Sequence, residues 1–148
     1  MSNFEAKFNT LELDDEWTEV PDFYAIVQQI VFKASTKALF GTHIFELNPD
    51  IIAEFWEYDE WIPSLFKNIP CFFIPKAFQA RDKILASIKK WHASAYKRCD
   101  LNDEENRKVE WELIFGSKLI RDRLPLFSAI DGYDADALAA VDLGLMWA

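Results

Sequence analysis

The sequence predicts an all-α fold of about five helices, and three observations carry that prediction. Only four glycines occur in 148 residues, well below the roughly 7% of an average protein and too few for the turns of a β-sandwich or barrel. Apolar residues recur at helical spacing through several long stretches. Proline and glycine fall at the ends of those stretches, where helices start and stop. A chain of this length is about one ordinary domain, and its mix of 51% hydrophobic and 28% charged residues is that of a globular protein.

Each element follows in order. Residues 1–20 read as an acidic irregular lead-in, since residues 1–22 hold seven acids against Lys7 alone. Residues 22–40 place Phe23, Ile26, Ile30, Ala34 and Ala38 on one helical face, with Pro21 suited to the start and Gly41 to the stop. Asn48 and Pro49 supply a cap and a first-turn proline for a helix over 49–68. Its apolar face is expected to bury Ile51, Ile52, Phe55, Trp56, Ile62 and Phe66, with a bend near Pro63. The short segment IPCFFIP follows within 68–75. A long helix over 76–98 carries Phe78, Ile84, Leu85, Ile88, Trp91 and Ala95 as its stripe, antiparallel to 49–68. Residues 100–108 are a polar loop. An amphipathic piece over 108–129 packs Trp111, Ile114, Phe115, Leu119 and Ile120, interrupted at Gly116 and Pro125. The last segment, 134–148, is apolar almost all round except for Asp142, so an isolated chain is expected to leave it bare.

Several chemistries are excluded by composition. Twenty-five acids against 16 bases give a net charge of −9, which repels a phosphate backbone, so no nucleic-acid partner is expected. The seven bases between Lys76 and Arg98 read as a solvated helix face. Cys71 and Cys99 have no C-x-x-C spacing, and His43 and His92 are not paired at metal spacing, so no zinc site is expected. There is no G-x-S-x-G, P-loop or H-E-x-x-H. Neither a signal peptide nor an 18-residue apolar run is present, so a chain expressed alone is expected in the cytoplasm.

Taken in order, four stretches resemble the middle of a fungal cytochrome P-450, a haem-thiolate monooxygenase. They are EVPDFYAIVQQIVFKASTKALFG (19–41), FWEYDEWIPSLFKNIPCFFIPKAFQARDKILASIKKWH (55–92), FGSKLIRDR (115–123) and DALAAVDLGLMWA (136–148). The resemblance covers most of the chain after residue 18. It implies a single partial P-450 domain over 1–148, irregular over 1–20 and helical over 21–148, from about helix D/E to the start of helix I. Residues 49–68 resemble helix F, 68–75 the F–G loop, 76–98 helix G and 134–148 the beginning of helix I.

The resemblance further implies haem, O2 and NADPH-derived electrons in the parent family, with a lipophilic substrate, sterol or otherwise apolar, and a reductase partner. It implies the endoplasmic reticulum membrane as the parent family's location. The family's F-x-x-G-x-x-x-C-x-G ligand loop and its W-x-x-x-R segment are absent. The literal E-x-x-R at Glu104–Arg107 sits in the polar loop and is a chance match. No catalytic residue, haem ligand or metal ligand is therefore expected in this chain. It is read as a truncated or split piece, inactive alone, that supplies the substrate-access region. The alternative is a non-catalytic helical interaction domain, membrane-peripheral in character.

Individual residues divide accordingly. Cys71 and Cys99 read as inert thiols, and His43 and His92 as ordinary histidines. Ile69, Phe72, Phe73 and Ile74 are the candidates for substrate access or membrane contact, because large apolar side chains beside a basic helix can enter a headgroup region. Folding of that loop onto the protein's own core stands as the other reading. By the resemblance, Leu143 and Trp147 are pocket-side candidates. Asp142 either pairs locally or meets a partner elsewhere in a parent protein.

Overall fold

Asp22 opens the first helix by accepting a hydrogen bond from the Ala25 amide (2.9 Å), which satisfies one of the donors a helix start leaves free. The structure is a computed structural model that describes residues 22–98 and 108–147. The acidic lead-in 1–20, Pro21, Cys99, Glu104–Arg107 and the polar loop up to residue 107 lie outside the described residues. The elements run α1 (Phe23–Phe40), α2 (His43–Leu47), α3 (Ile51–Phe66) and α4 (Pro75–Arg98). They continue with β1 (Trp111–Glu112), β2 (Gly116–Ser117), α5 (Lys118–Ser128) and α6 (Ala135–Trp147). Among the described residues the protein is thus mostly helical, with six helices and one small antiparallel hairpin.

The stretch expected to form one amphipathic piece over 108–129 is a hairpin followed by a helix. Gly116 is the cause. It adopts φ +72° and meets Gly41, itself at φ +80°, so closely that a Cβ on either would collide with backbone of the other segment. That contact seats the hairpin on the end of α1. The Trp111 indole donates to the Ala38 carbonyl (3.0 Å), Ser117 Oγ donates to the Leu39 carbonyl (3.1 Å), and the Thr42 and His43 amides donate to the Leu113 carbonyl (3.0 and 3.1 Å). The last carbonyls of α1, which lack partners within the helix, are satisfied in this way. Trp111 and Leu119 stay exposed, whereas Phe115 and Ile120 are buried. Pro125 does not interrupt α5, which continues to Ser128.

Helix α4 is the central element, packing on α2, α3 and α6. Its partners run in reverse order along the chain. His43 Nε2 meets Ser94 Oγ (2.9 Å), Lys90 Nζ donates to the Leu47 carbonyl (2.6 Å), and Ser87 Oγ donates to Glu54 (2.6 Å). The order makes α3 and α4 antiparallel, as expected. Trp91 is fully buried between Phe40 and Phe115, with ring centroids 5.6 and 5.7 Å away in edge-to-face geometry. Its indole donates to the Ile114 carbonyl (3.0 Å).

Three expectations about faces are corrected. In α1 the buried side chains are Phe32, Thr36 and Phe40, on the side opposite the expected stripe, and Phe23 is exposed. Phe32 is what the core reaches, its ring tilted against Phe55 at 4.2 Å between centroids. In α3, Phe66 is exposed because the helix ends there and the chain turns away. Helix α6 is not bare: Ala139, Asp142, Leu143 and Met146 are buried, and the helix packs chiefly on α4.

Replacing Gly116 with alanine forces a side chain into the left-handed region and into the backbone at the end of α1. The loss of stability is expected to be about 2 kcal/mol or more. A urea melt of the G116A chain checks this. G132A is the control, because Gly132 also has positive φ but no atom lies within 4 Å of its added Cβ.

Candidate functional site

Residues 67–74 reverse the chain between α3 and α4. Asn68 takes φ +52°, a conformation asparagine tolerates better than most residues. The Phe73 amide donates to the Pro70 carbonyl (2.9 Å) and the Ile74 amide to the Cys71 carbonyl (3.2 Å). Pro75 then begins α4, where a missing amide hydrogen costs nothing. So tight a turn leaves its large side chains no core to enter. Phe66, Phe72 and Phe73 are 82%, 74% and 69% exposed, and the rings of the last two lie 4.1 Å apart in a tilted contact. Ile69 and Ile74 are half-buried, and Cys71 is exposed.

Beneath the turn lies a cleft of about 430 Å³ between α3 and α4. Its apolar wall includes Ile62, Leu65, Phe66, Ile69 and Phe78, and its polar end holds Tyr58 and Arg81. The Arg81 guanidinium lies over the Phe78 ring at 4.9 Å and pairs with the exposed Asp82 at 2.7 Å. Burial raises the Tyr58 pKa, opposed by the positive charge of Arg81 and aided by Asp59, so the phenol keeps its proton.

The other two candidates sit elsewhere. Leu143 is buried among the core side chains. Trp147 is exposed and donates its indole hydrogen to Asp59 (2.7 Å). It borders a second groove of about 450 Å³ with Val31, Phe32, Phe55, Trp56 and Met146, on the other side of α3. Of the candidates, Ile69 therefore lines the first cleft and Trp147 the second, whereas Phe72, Phe73, Ile74 and Leu143 line neither.

A third cluster was not visible as such in the sequence. Asp142 is fully buried; His92 Nε2 lies 2.5 Å from one of its oxygens, and the Arg123 guanidinium pairs with the other. Of the two readings for Asp142, local pairing is what the structure displays. Burial, and then the positive charge of Arg123, lower the His92 pKa from 6.5 to about 4. The ring is thus neutral near pH 7 and donates from Nε2 to the carboxylate. Burial also lowers the Arg123 pKa. The three groups tie α4, α5 and α6 together.

Haem fits poorly among these residues. Cys71 stands exposed on the turn and does not line the cleft. His43 engages Glu46 and Ser94 through its two ring nitrogens, and His92 is bound to Asp142. No group of three or more His, Cys, Asp or Glu side chains is placed to hold a metal among the described residues. Nor is any helix there long and apolar enough to cross a membrane.

No family model matches the chain, and no solved structure does. Curated proteins do. The cytochrome P450 monooxygenase fsoE of Humicola fuscoatra is 37% identical over 135 residues, 91% of this chain and 23% of that protein. The cytochrome P450 monooxygenase efuG of Hormonema carpetanum is 38% identical over 136 residues, 92% of this chain and 24% of that protein. A third, calL of Penicillium decumbens, is 26% identical over 107 residues. The chain is related to fungal cytochrome P450 monooxygenases. It spans about a quarter of the length of the first two of these relatives. Within that quarter, sequence reasoning singled out the aromatic turn, with exposure and folding onto the core both open, and missed Arg81 and Tyr58. Arg81 was counted only among the solvated bases, although its three-residue spacing from Phe78 places both on one side of α4.

The depressed His92 pKa has a consequence for stability. Between pH 6.5 and about 4 the unfolded chain binds a proton at this ring that the folded chain does not. Stability from this source is complete above pH 6.5 and falls as pH drops toward 4, by on the order of 3 kcal/mol. Urea melts from pH 7 to pH 4 should show that loss in the wild type and a flatter profile in His92→Gln.

Proposed function

We propose that this chain is the substrate-access portion of a haem-dependent monooxygenase. The whole protein would insert one oxygen atom from O2 into a lipophilic substrate, with NADPH-derived electrons delivered by a reductase. The observation that carries this reading is the α3–α4 turn. In a chain related to P450 monooxygenases over nine-tenths of its length, it presents Phe66, Phe72 and Phe73 to solvent, and Phe66 also lines a cleft with one apolar wall. Ile69 lines that cleft, and Ile74 supports the turn where α4 begins. An apolar substrate held in a membrane would meet these side chains first. Lys67 and Lys76 flank the turn and suit an anionic headgroup layer. Leu143 and Trp147 are assigned to the substrate side of helix α6 on the strength of the resemblance alone. The helix F, F–G loop, helix G and helix I assignments belong to the same proposal.

In this reading the chain contributes no iron ligand. Its turn binds and admits substrate, and the thiolate chemistry of a P450 is supplied outside these residues. When bound, haem provides the activated oxygen. The purified chain mixed with haem should show no thiolate-haem band in its reduced carbon-monoxide difference spectrum; the band's appearance would refute the claim.

The membrane role of the turn is tested by co-sedimentation with phosphatidylcholine–phosphatidylserine vesicles. Each phenyl ring withdrawn from the interface costs about 1.5–3 kcal/mol. Phe72→Asp with Phe73→Asp should thus reduce partitioning at least about tenfold. Unchanged binding removes the proposal.

A further inference from the structure

The cleft between α3 and α4 changes polarity along its length. Toward the turn it is walled by Ile62, Leu65, Phe66, Ile69, Pro70 and Phe78 together with the uncharged polar Asn68, and away from the turn it reaches Tyr58 and Arg81. Among the described residues that line it, Arg81 alone carries a charge. The guanidinium is held in place by the Phe78 face, 4.9 Å from the ring centroid. Its salt bridge to Asp82 joins adjacent residues, and both side chains are well exposed (40% and 63%). Such a pair contributes little to stability, so the arginine can exchange its partner at small cost. Guanidinium groups match carboxylates in a planar, two-point fashion that a lysine cannot supply. The cleft's volume of about 430 Å³ lies within the range of small-molecule sites.

From this we infer a binding site for a single-chain anionic amphiphile, a free fatty carboxylate. The acyl chain lies along Ile62, Leu65, Ile69 and Phe78, and the carboxylate pairs with Arg81 beside the Tyr58 phenol. The inference rests on reading this corner as the entry side for apolar substrates and assigns it a ligand class. A neutral chain would leave Arg81 unused. A cationic one would meet it as a like charge, which sets the site's selectivity. An acyl phospholipid carries the same anionic-headgroup chemistry, but its second chain has no matching wall in the cleft.

The test uses the full 148-residue chain and isothermal titration with sodium dodecanoate, dodecanol and dodecyltrimethylammonium, each below its micelle threshold. The wild type should bind dodecanoate at least tenfold more tightly than the other two. Arg81→Gln should remove that preference while leaving dodecanol binding unchanged, and Asp82→Asn should strengthen dodecanoate binding by freeing the guanidinium. Equal binding of all three probes, or dodecanoate binding that Arg81→Gln leaves intact, overturns the site. So does a result in which Arg81→Gln weakens only vesicle binding, since the headgroup partner would then be a phospholipid. Circular dichroism of each variant establishes that it is folded. The Phe72→Asp, Phe73→Asp variant separates this inference from the membrane reading: loss of vesicle binding with retained dodecanoate binding supports both. Retained vesicle binding with an Arg81-dependent dodecanoate site would leave the cleft standing and the membrane role refuted.

Discussion

The architecture depends on the contact between Gly41 and Gly116. A helix end leaves its last carbonyls without partners, and burying them unpaired is costly. Here the hairpin answers that demand, but only because two residues without Cβ atoms let its backbone approach the end of α1. Once it is seated, Phe115 and the Ile114 carbonyl face Trp91, which places α4 against the same corner. Helix α4 then orders α2, α3 and α6 around itself. The α3–α4 turn lies at one end of this assembly, so the candidate site inherits its position from a contact in which it takes no part.

Polar contacts are distributed unevenly along α4, and this shapes what each end can do. Toward its C-terminal half, Ser87, Lys90, His92 and Ser94 reach Glu54, Asn48, Leu47, His43 and Asp142. Hydrogen-bonded pairs have narrow geometric requirements, most of all the buried His92–Asp142 pair, so they lock the register of α4 against α2, α3 and α6. Toward its N-terminal end, Ala77, Phe78 and Ala80 make mainly apolar contact, which is less directional. The cleft opens where directional ties give out. A site that must admit a ligand between two helices needs that softness, and the locked half keeps the helices from separating.

The helices were largely legible because their punctuation is strong: Gly41 stops α1, Pro75 starts α4, and the long stripe of Ile84, Ile88, Trp91 and Ala95 leaves little choice of face. The hairpin was not legible. Two-residue strands carry no usable alternation, and the role of Gly116 appears only once Gly41 is beside it, 75 positions away in sequence. The face of α1 was misread for a different reason. The helix is apolar on several sides, so periodicity permits more than one stripe, and the neighbours Phe55 and Trp91 decide which is used. His92 and Arg123 likewise look ordinary until Asp142 joins them from α6. In the candidate site, a short apolar turn, its rings facing either solvent or the core, followed from the two enclosing prolines. Arg81 did not, because a base on a basic helix is indistinguishable from its solvated neighbours until a cavity singles it out.

The α3–α4 turn with its cleft and the groove beside Trp147 both expose apolar side chains, and charge distinguishes them. The groove beside Trp147 is lined by Tyr24, Val27, Val31, Phe32 and Trp56, and its one charged lining residue, Asp59, is already paired with the Trp147 indole. Nothing there favours an anion, and its aromatic walls suit packing against another apolar surface. The α3–α4 turn has its rings at a chain reversal, lysines on both shoulders and an arginine within the cleft behind. Apolar area alone would rank the two alike. Water leaves both surfaces favourably, but only the turn also lowers the energy of an anion brought near it. An interface of anionic headgroups over acyl chains matches that order of layers. This is why the turn, and not the larger groove, is assigned the role of entry.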